Sequence, residues 1–252
     1  MPTLTELILD PVSLTLLAIY GTLIVIEISF PARKLPKVTG WVPISLAVFS
    51  FYFLLSSYLP LLIDPYLKPF QVANLDDRNS FLGTIFAILI FELLIYIWHK
   101  AMHKHKSLWR IFHQMHHSAE RLDSFGAFYF SPFDMIGFTL IGSIALNIFV
   151  GLSPEATTWF FYSTMVLAIF PHLNINTPQW LGYIIQRPES HSVHHEKGVH
   201  AFNYSDLPIF DIIFGTFNNP KTFAKEIGFF DGASRKLPQM LTFQDINSLK
   251  SK

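Results

Sequence analysis

Residues 81–105 read FLGTIFAILIFELLIYIWHKAMHKH, and the fold is decided by this stretch. Its first part, 81–98, is an almost unbroken apolar run of the kind that crosses about 30 Å of bilayer hydrocarbon as a helix. Two histidines, His99 and His103, follow at once at helical spacing. The stretch therefore predicts a membrane-spanning helix that presents two imidazoles at one membrane surface.

Four more apolar stretches accompany it, at 12–30, 41–63, 132–150 and 156–171. The last is short, and only five residues separate it from the one before, which is typical of a helical hairpin. Charged residues make up 14% of the chain, against about 25% in an average soluble domain. These patterns predict an all-α fold: a multi-pass transmembrane helical bundle of four or five spans, capped by a helical, histidine-rich metal-binding domain.

The distribution of lysine and arginine predicts the orientation of the bundle. If the amino terminus lies outside, 16 of the 18 positive residues fall on the cytoplasmic side, and only Lys68 and Arg78 fall outside. Cytoplasmic loops carry such an excess, so we expect the histidine-rich domain to be cytoplasmic. The host membrane is the ER if the protein is eukaryotic and the inner membrane if it is bacterial; residues 249–252 show no clear ER-retrieval signal.

Composition also excludes several function classes. The formal net charge is zero, so no nucleic-acid partner is expected. The chain has no cysteine, which excludes thiolate metal sites and cysteine nucleophiles. We divide it into N-terminal transmembrane helices (1–80), a histidine-rich domain (81–217) and a cytoplasmic C-terminal tail (218–252).

Three histidine groups are the candidates for chemistry. They occur in the sequences WHKAMHKH, FHQMHHS and ESHSVHHE, and comprise His99, His103, His113, His116, His117, His191, His194 and His195. Residues three and four apart share a helix face, so each group is expected to offer its imidazoles to a common point. Eight imidazoles are too many for one ion, whereas two ions with three or four nitrogens each use them well.

The three groups resemble the histidine boxes of the fatty acid hydroxylase/sterol desaturase superfamily of membrane di-iron oxidases, whose pattern is H-x(3–4)-H, H-x-x-H-H and a later H-x-x-H-H. His172-Leu173-Asn174 resembles its H-x-N element. Asn203-Tyr204 and the segment FDIIFGTF at 210–217 resemble its tail, with Phe210 in place of the usual tryptophan. The resemblance covers residues 81–217, over half of the chain, and implies that this range is the catalytic domain.

The resemblance implies an enzyme with two iron ions that uses O₂ to oxidise an unactivated C–H bond of a sterol, fatty acyl or related lipid from the bilayer. Iron with O₂ supplies the oxidising power, and zinc does not. Hydroxylation and desaturation share the first hydrogen abstraction, and both stay open. No haem domain or flavin motif is present in the sequence, so a separate electron donor of the cytochrome b5 or ferredoxin type is expected. His172 is expected as a ninth ligand, because family members often carry an extra ligand there.

Other polar residues are candidates for supporting roles. Asp211 is expected to accept the N–H of a ligand histidine and so fix its tautomer. Glu92 lies seven residues before His99 on the same helix face, where an acid inside a span is costly; it either bonds a ligand histidine or pairs with another helix. The remaining candidates for support are Asn174, Asn203 and His200. His105 is a weaker candidate ligand, because it falls off the face of His99 and His103.

Two other function classes fit parts of the pattern. A membrane zinc hydrolase would need a carboxylate base beside the metal, as in H-E-x-x-H, and only Glu196 comes near. A metal or haem carrier would hold its ligands near the bilayer midplane, whereas these histidines follow the spans at one surface. The oxidase interpretation is therefore favoured.

Overall fold

The computed structural model describes residues 1–248, most of which are helical. Residues 249–252, where the sequence shows no retrieval signal, lie outside the described residues. The helices are α1 Leu4–Leu9, α2 Pro11–Ser29, α3 Trp41–Leu67, α4 Ser80–Lys104, α5 Lys106–Leu108, α6 Gln114–His117, α7 Pro132–Ile144, α8 Pro154–Ile169, α9 Pro188–His194, α10 Ile209–Ile213 and α11 Leu237–Leu241. Short 3₁₀ turns occur at Lys68–Phe70, Ser124–Gly126, Phe170–His172, Gln179–Tyr183, Ala233–Arg235 and Ile246–Ser248, and π turns at Trp109–His113 and Ala145–Phe149. Strands β1 Ala73–Asn74 and β2 Val150–Gly151 pair in parallel, with Ala73 opposite Val150.

Within residues 1–248, four helical segments are long and apolar enough to cross a membrane. They are Pro11–Ser29, Trp41–Phe70, Ser80–Lys104 and Pro132–Phe149. The predicted all-α, multi-pass architecture is confirmed, and the chain is a multi-pass membrane protein. Helix α8 has 16 residues and is short, as the sequence indicated. The cytoplasmic orientation stays a prediction.

Three of the helices in the bundle begin in the same way. A polar residue caps the first turn and a proline follows it, at Asp10-Pro11, Ser131-Pro132 and Ser153-Pro154. The cap oxygen accepts a backbone N–H that the helix leaves unpaired, and proline lacks the N–H that would be unpaired anyway. These starts fix where α2, α7 and α8 enter the bundle.

The long helices pack side by side, with α3 along α7 and α8 between α2 and α4. Aromatic rings fill the layer between them near the histidine end, including Tyr20, Phe49, Phe128 and Phe130. Nearby, the indole N–H of Trp41, the first residue of α3, donates to Asp123 Oδ1 at 3.0 Å. The bundle therefore ends in a packed aromatic layer beneath the histidine segments.

Residues 218–248 pack back over those segments. The backbone N–H of Gly228 donates to His195 O at 3.1 Å, and that of Ala224 donates to Ser192 Oγ at 2.8 Å. Phe229 joins a buried cluster with Trp41 and Met115. The domain division at 80 and 217 stays a prediction, and the segment after 217 contributes a cover over the third histidine group.

Gly228 offers a test of this cover. Its φ is +78°, and an added Cβ would lie 2.5 Å from the backbone oxygen of Ala119. Gly198 has nearly the same φ, +80°, yet nothing lies within 4 Å of its Cβ position. Both substitutions by alanine incur a backbone cost of about 1 kcal/mol, and Gly228→Ala adds a clash with backbone that cannot rotate away. We expect Gly228→Ala to lower the thermal unfolding temperature in detergent clearly more than Gly198→Ala. Equal losses would show that the contact with Ala119 does not matter.

Candidate metal centre

The structure brings all nine predicted histidines into two clusters. In each, one nitrogen per ring lies within 4.8 Å of the others. Cluster A consists of His99, His103, His113, His117 and His194, and cluster B of His116, His172, His191 and His195. The rings of His117 (cluster A) and His195 (cluster B) stack at 4.1 Å between centroids, so the clusters adjoin. Of the nine, only His103 is part exposed.

The expectation that each sequence group faces one point is wrong for two of the three groups. His116 faces cluster B while its neighbours His113 and His117 face cluster A, and His194 separates from His191 and His195 in the same way. Consecutive residues on a helix point about 100° apart, so an H-H pair diverges and reaches two points. Each H-x-x-H-H motif therefore links the two clusters.

A loop after the third group orients cluster A. We call residues 200–204 the carbonyl loop, because three alternate backbone carbonyls in it accept Nδ1–H groups from rings of cluster A. His200 O accepts from His103 at 2.8 Å, and Phe202 O accepts from His194 at 2.7 Å. Tyr204 O accepts from His99 at 2.8 Å. His200, Phe202 and Asn203 all have positive φ. Such backbone strain persists where the surroundings enforce it, and here it aims the carbonyls at the rings.

Side chains and one helix carbonyl orient three other rings. His113 Nδ1 donates to Asp134 Oδ2 at 2.7 Å, and both residues are buried. His191 Nδ1 donates to Gln186 Oε1, and His172 Nδ1 donates to Ala168 O at 2.9 Å. Asp134 and Gln186 are not among the residues that the sequence predicted for the site. An acid inside the fourth apolar stretch was a usable signal for Asp134, whereas nothing in the sequence points to Gln186.

The inward nitrogens fit metal ions. The Nδ1 atoms of His172 and His191 carry the ring protons, since they face acceptor oxygens, so both Nε2 atoms present lone pairs to each other at 3.0 Å. Two lone pairs at that distance repel unless a cation lies between them. Two ligands bound at right angles at 2.0–2.1 Å lie about 3 Å apart. In cluster A, the buried Nε2 atoms of His103, His117 and His194 have no hydrogen-bond partner among the described residues.

Burial keeps these rings in the state that binds metal. It lowers the pKa of His172 to about 4 and that of His191 well below its usual value, and neighbouring imidazoles lower the pKa of His191 further. The same causes lower the pKa of His117 and His195. Neutral imidazole is the form that ligates first-row metals. With their pKa values lowered, these rings are neutral and able to bind metal ions at neutral pH.

His200 and His105 occupy different environments. The Nδ1 atoms of His200 and His117 lie 3.1 Å apart, so one donates to the other, and His200 supports cluster A by its ring as well as its carbonyl. His105 is exposed at the end of α4 and belongs to neither cluster.

The two predicted acids act one step away from the histidines. The sequence suggested that Asp211 accepts the N–H of a ligand histidine, and this is wrong for the described residues. Its oxygens accept the backbone N–H groups of Tyr204 and Ser205 at 2.9 and 3.0 Å instead. Glu92 Oε2 likewise accepts from Ser205 Oγ at 2.7 Å and from the N–H of Asp206 at 2.9 Å. Since the loop turns its carbonyls toward the rings, the N–H groups at its end and just after it, those of Tyr204, Ser205 and Asp206, are paired with these two carboxylates.

The two predicted asparagines also act through the backbone. Asn203 Nδ2 donates to Ser190 O at 2.9 Å. The backbone carbonyl of Asn203 accepts from Gln186 Nε2 at 2.8 Å, and this bond holds Gln186, the hydrogen-bond partner of His191, in place. Asn174 Nδ2 donates to Arg33 O at 2.7 Å and so ties the loop after α2 to the segment after His172. Among the described residues, neither side chain is hydrogen-bonded to a histidine ring.

A cavity of about 540 Å³ reaches the clusters from inside the bundle. Its lining is mostly apolar, from α2, α3, α4, α7 and α8, and His99, His113, His116, His172 and His191 form one end. Small-molecule sites typically measure 300–1,000 Å³ and are mainly apolar. An apolar substrate inside it would bring its end against both clusters.

Known proteins share the histidine-bearing part of the chain. The ornithine lipid hydroxylase OlsE of Rhizobium tropici is 31% identical over 54% of this chain and 42% of its own. Sphinganine C4-monooxygenase 1 of Arabidopsis thaliana is 26% identical over 60% of this chain and 59% of its own. The very-long-chain aldehyde decarbonylase GL1-9 of Oryza sativa subsp. indica is 28% identical over 52% of both chains. The chain spans about half the length of these curated relatives, and no solved structure matches it.

The family model described as fatty acid hydroxylase matches residues 84–216. That range is more than half of the chain and contains both clusters, the carbonyl loop, Asp134 and Gln186. With all three boxes and the centre that they build inside the matched range, together with the tail as far as Thr216, the chain belongs to the fatty acid hydroxylase family.

Proposed function

We propose that the chain is an O₂-dependent, iron-containing lipid hydroxylase in which clusters A and B each hold one iron ion. The observation that carries the proposal is the junction of two buried groups of neutral imidazoles with the end of an apolar cavity. In the reaction one oxygen atom of O₂ enters a C–H bond, the other leaves as water, and two electrons and two protons come from outside. Iron held by the two clusters would supply the O₂ chemistry.

The residues of the chain would hold the metal ions and position the lipid. The nine rings provide the nitrogens, and the carbonyl loop, Asp134 and Gln186 fix the tautomers that turn Nε2 inward. The cavity walls orient the lipid and exclude water, which is catalysis by positioning. No acid or nucleophile of the protein is required.

Hydroxylation is proposed ahead of desaturation because one of the three relatives above is named a hydroxylase, a second is named a monooxygenase, and none is named a desaturase. The third is named for aldehyde decarbonylation, so the framework is not confined to one reaction. The zinc hydrolase alternative is not supported, since these relatives are oxygenases or decarbonylases by name and no box carries an acid beside its histidines in the H-E-x-x-H manner.

The finer parts of the proposal are the partner and the side of the membrane. We propose that a separate carrier of the cytochrome b5 or ferredoxin type delivers the electrons on the cytoplasmic side, in the ER or a bacterial inner membrane according to the host. The lysine and arginine distribution and the part-exposed position of His103 support access from that side.

The test is an isotope experiment on the purified, iron-loaded protein with lipid extract and a chemical reductant. We expect lipids that gain one oxygen atom, with the label coming from labelled O₂ and not from labelled water. Label from water would indicate a hydrolase or hydratase, and a product that loses two hydrogens without gaining oxygen would indicate a desaturase.

A further inference from the structure

The cavity is closed at the histidine end. Among the lining residues next to the clusters, Phe128, Phe130, Gln186 and Tyr204 are buried and none is exposed. Among the lining residues that the structure describes, the exposed ones are Asp10, Leu61 and Phe161. Substrate therefore enters from the region remote from the metals.

The distance from that entrance to the histidines is long. Phe161, the nearest of the exposed lining residues, precedes His172 by 11 residues, or about 16 Å of helix. Along α3 the lining runs from Phe49 to Asp64, about 22 Å at 1.5 Å per residue. A volume of about 540 Å³ over that length makes a narrow channel, which suits a linear hydrocarbon chain better than a wide ring system.

A lipid must enter this channel with its apolar end first. The opposite direction would take a polar group along a lining that is mostly apolar and includes Phe53, Phe91 and Phe138, and burying an unsatisfied polar group is costly. The methyl end therefore reaches the clusters while the polar group stays near the entrance. Oxidation then falls on the part of the chain remote from the polar group.

The entrance carries negative charge without a matching positive one. Asp10 and Asp64 line it, and neither forms an ion pair within residues 1–248. Asp64 Oδ1 is buried and has no hydrogen-bond partner among the described residues. No lysine or arginine of the described chain lines the cavity. A protonated amine satisfies Asp64 by a charged hydrogen bond, whereas a carboxylate or phosphate is repelled.

We propose, building on the hydroxylase function above, that the substrate is a linear-chain lipid with a protonated amine at its polar end, and that it is hydroxylated near its methyl end. Asp64 binds the amine at the entrance, and the closed end of the cavity at the clusters sets the position of oxidation by counting from the methyl group.

The first experiment compares products from tetradecylamine, hexadecylamine and octadecylamine. Mass-spectrometric fragmentation locates the new hydroxyl group. We expect it near the methyl end, at a position that stays constant when counted from that end in all three. A hydroxyl group next to the amine, or one at a constant count from the amine, would overturn the proposed direction of binding.

The second experiment compares hexadecylamine, hexadecanol and palmitate, both as substrates and as ligands without turnover, by the thermal stabilisation that each confers. The amine should bind most tightly and palmitate least. Asp64→Asn should lower the amine-to-alcohol preference at least about tenfold, the scale of a hydrogen bond to a charged group. Asp77→Asn, an equal change at an exposed residue outside the cavity lining, should leave that preference unchanged.

The outcomes separate the two proposals. Turnover of palmitate as fast as that of the amine, or an unchanged preference in Asp64→Asn, would overturn the amine site while leaving the hydroxylase function intact. Absence of oxygen incorporation into every lipid offered, with iron bound, would overturn both.

Discussion

Replacing His194 with alanine is expected to abolish hydroxylation and to remove metal from cluster A. The His194 Nε2 atom is buried and has no partner among the described residues, while its Nδ1–H is held by Phe202 O. Loss of an outer partner of a ligand typically costs 10–100-fold, so loss of the ligand itself should lower activity more than about a hundredfold. Metal analysis of the purified protein, with insertion into membranes checked in parallel, measures the effect.

His116→Ala is the companion variant, because His116 faces cluster B. It should lose activity to the same extent while disturbing the other ion. His105→Ala is the matched control, since His105 is exposed and outside both clusters, and it should retain metal and turnover. Retained turnover in either cluster variant would contradict the assignment of these rings.

Replacing Asp134 with alanine is expected to produce the second largest loss, about 10–100-fold in activity or metal affinity. Its Oδ2 accepts the Nδ1–H of His113 at 2.7 Å in a fully buried setting. Without the carboxylate, the His113 ring can take the other tautomer, which puts a proton on the nitrogen that faces the metal. Activity against added iron concentration is the measurement.

Asp134→Asn separates hydrogen bonding from charge. The amide oxygen can still accept from His113, and its NH₂ group would take the place of Oδ1, which has no partner among the described residues. We expect the asparagine variant to recover part of the activity lost in Asp134→Ala. If both variants matched the unaltered protein, Asp134 would have no part in orienting the ring.

Much of the fold could be predicted from apolar run length. The predicted stretches 12–30, 81–98 and 132–150 correspond to Pro11–Ser29, Ser80–Lys104 and Pro132–Phe149. The boundaries were less predictable at polar ends: α3 continues past 63 to Leu67, and α4 continues past 98 to Lys104 and carries His99 and His103. A helix can continue past its apolar stretch where capping and packing stabilise it. Hydropathy does not measure either effect.

The histidines of the metal centre could be predicted from the sequence, but the groups that accept hydrogen bonds from them could not. Helical spacing and the resemblance together named nine histidines, and the structure gathers all nine. Whether His116 joins the cluster of its neighbours depends on the direction in which each ring points. The rings of His103 and His99 donate to the carbonyls of His200 and Tyr204, which lie about a hundred positions away in the chain. Such contacts arise from tertiary packing and leave no local pattern in the sequence.

The central claim is that two iron ions lie within clusters A and B. The most direct measurement is anomalous X-ray scattering at the iron edge from crystals of the purified protein, combined with elemental analysis. We predict two iron peaks per chain, one inside each cluster and within bonding distance of the inward ring nitrogens. A single peak, peaks elsewhere in the molecule, or zinc in place of iron in protein that catalyses the O₂-dependent reaction would contradict the account.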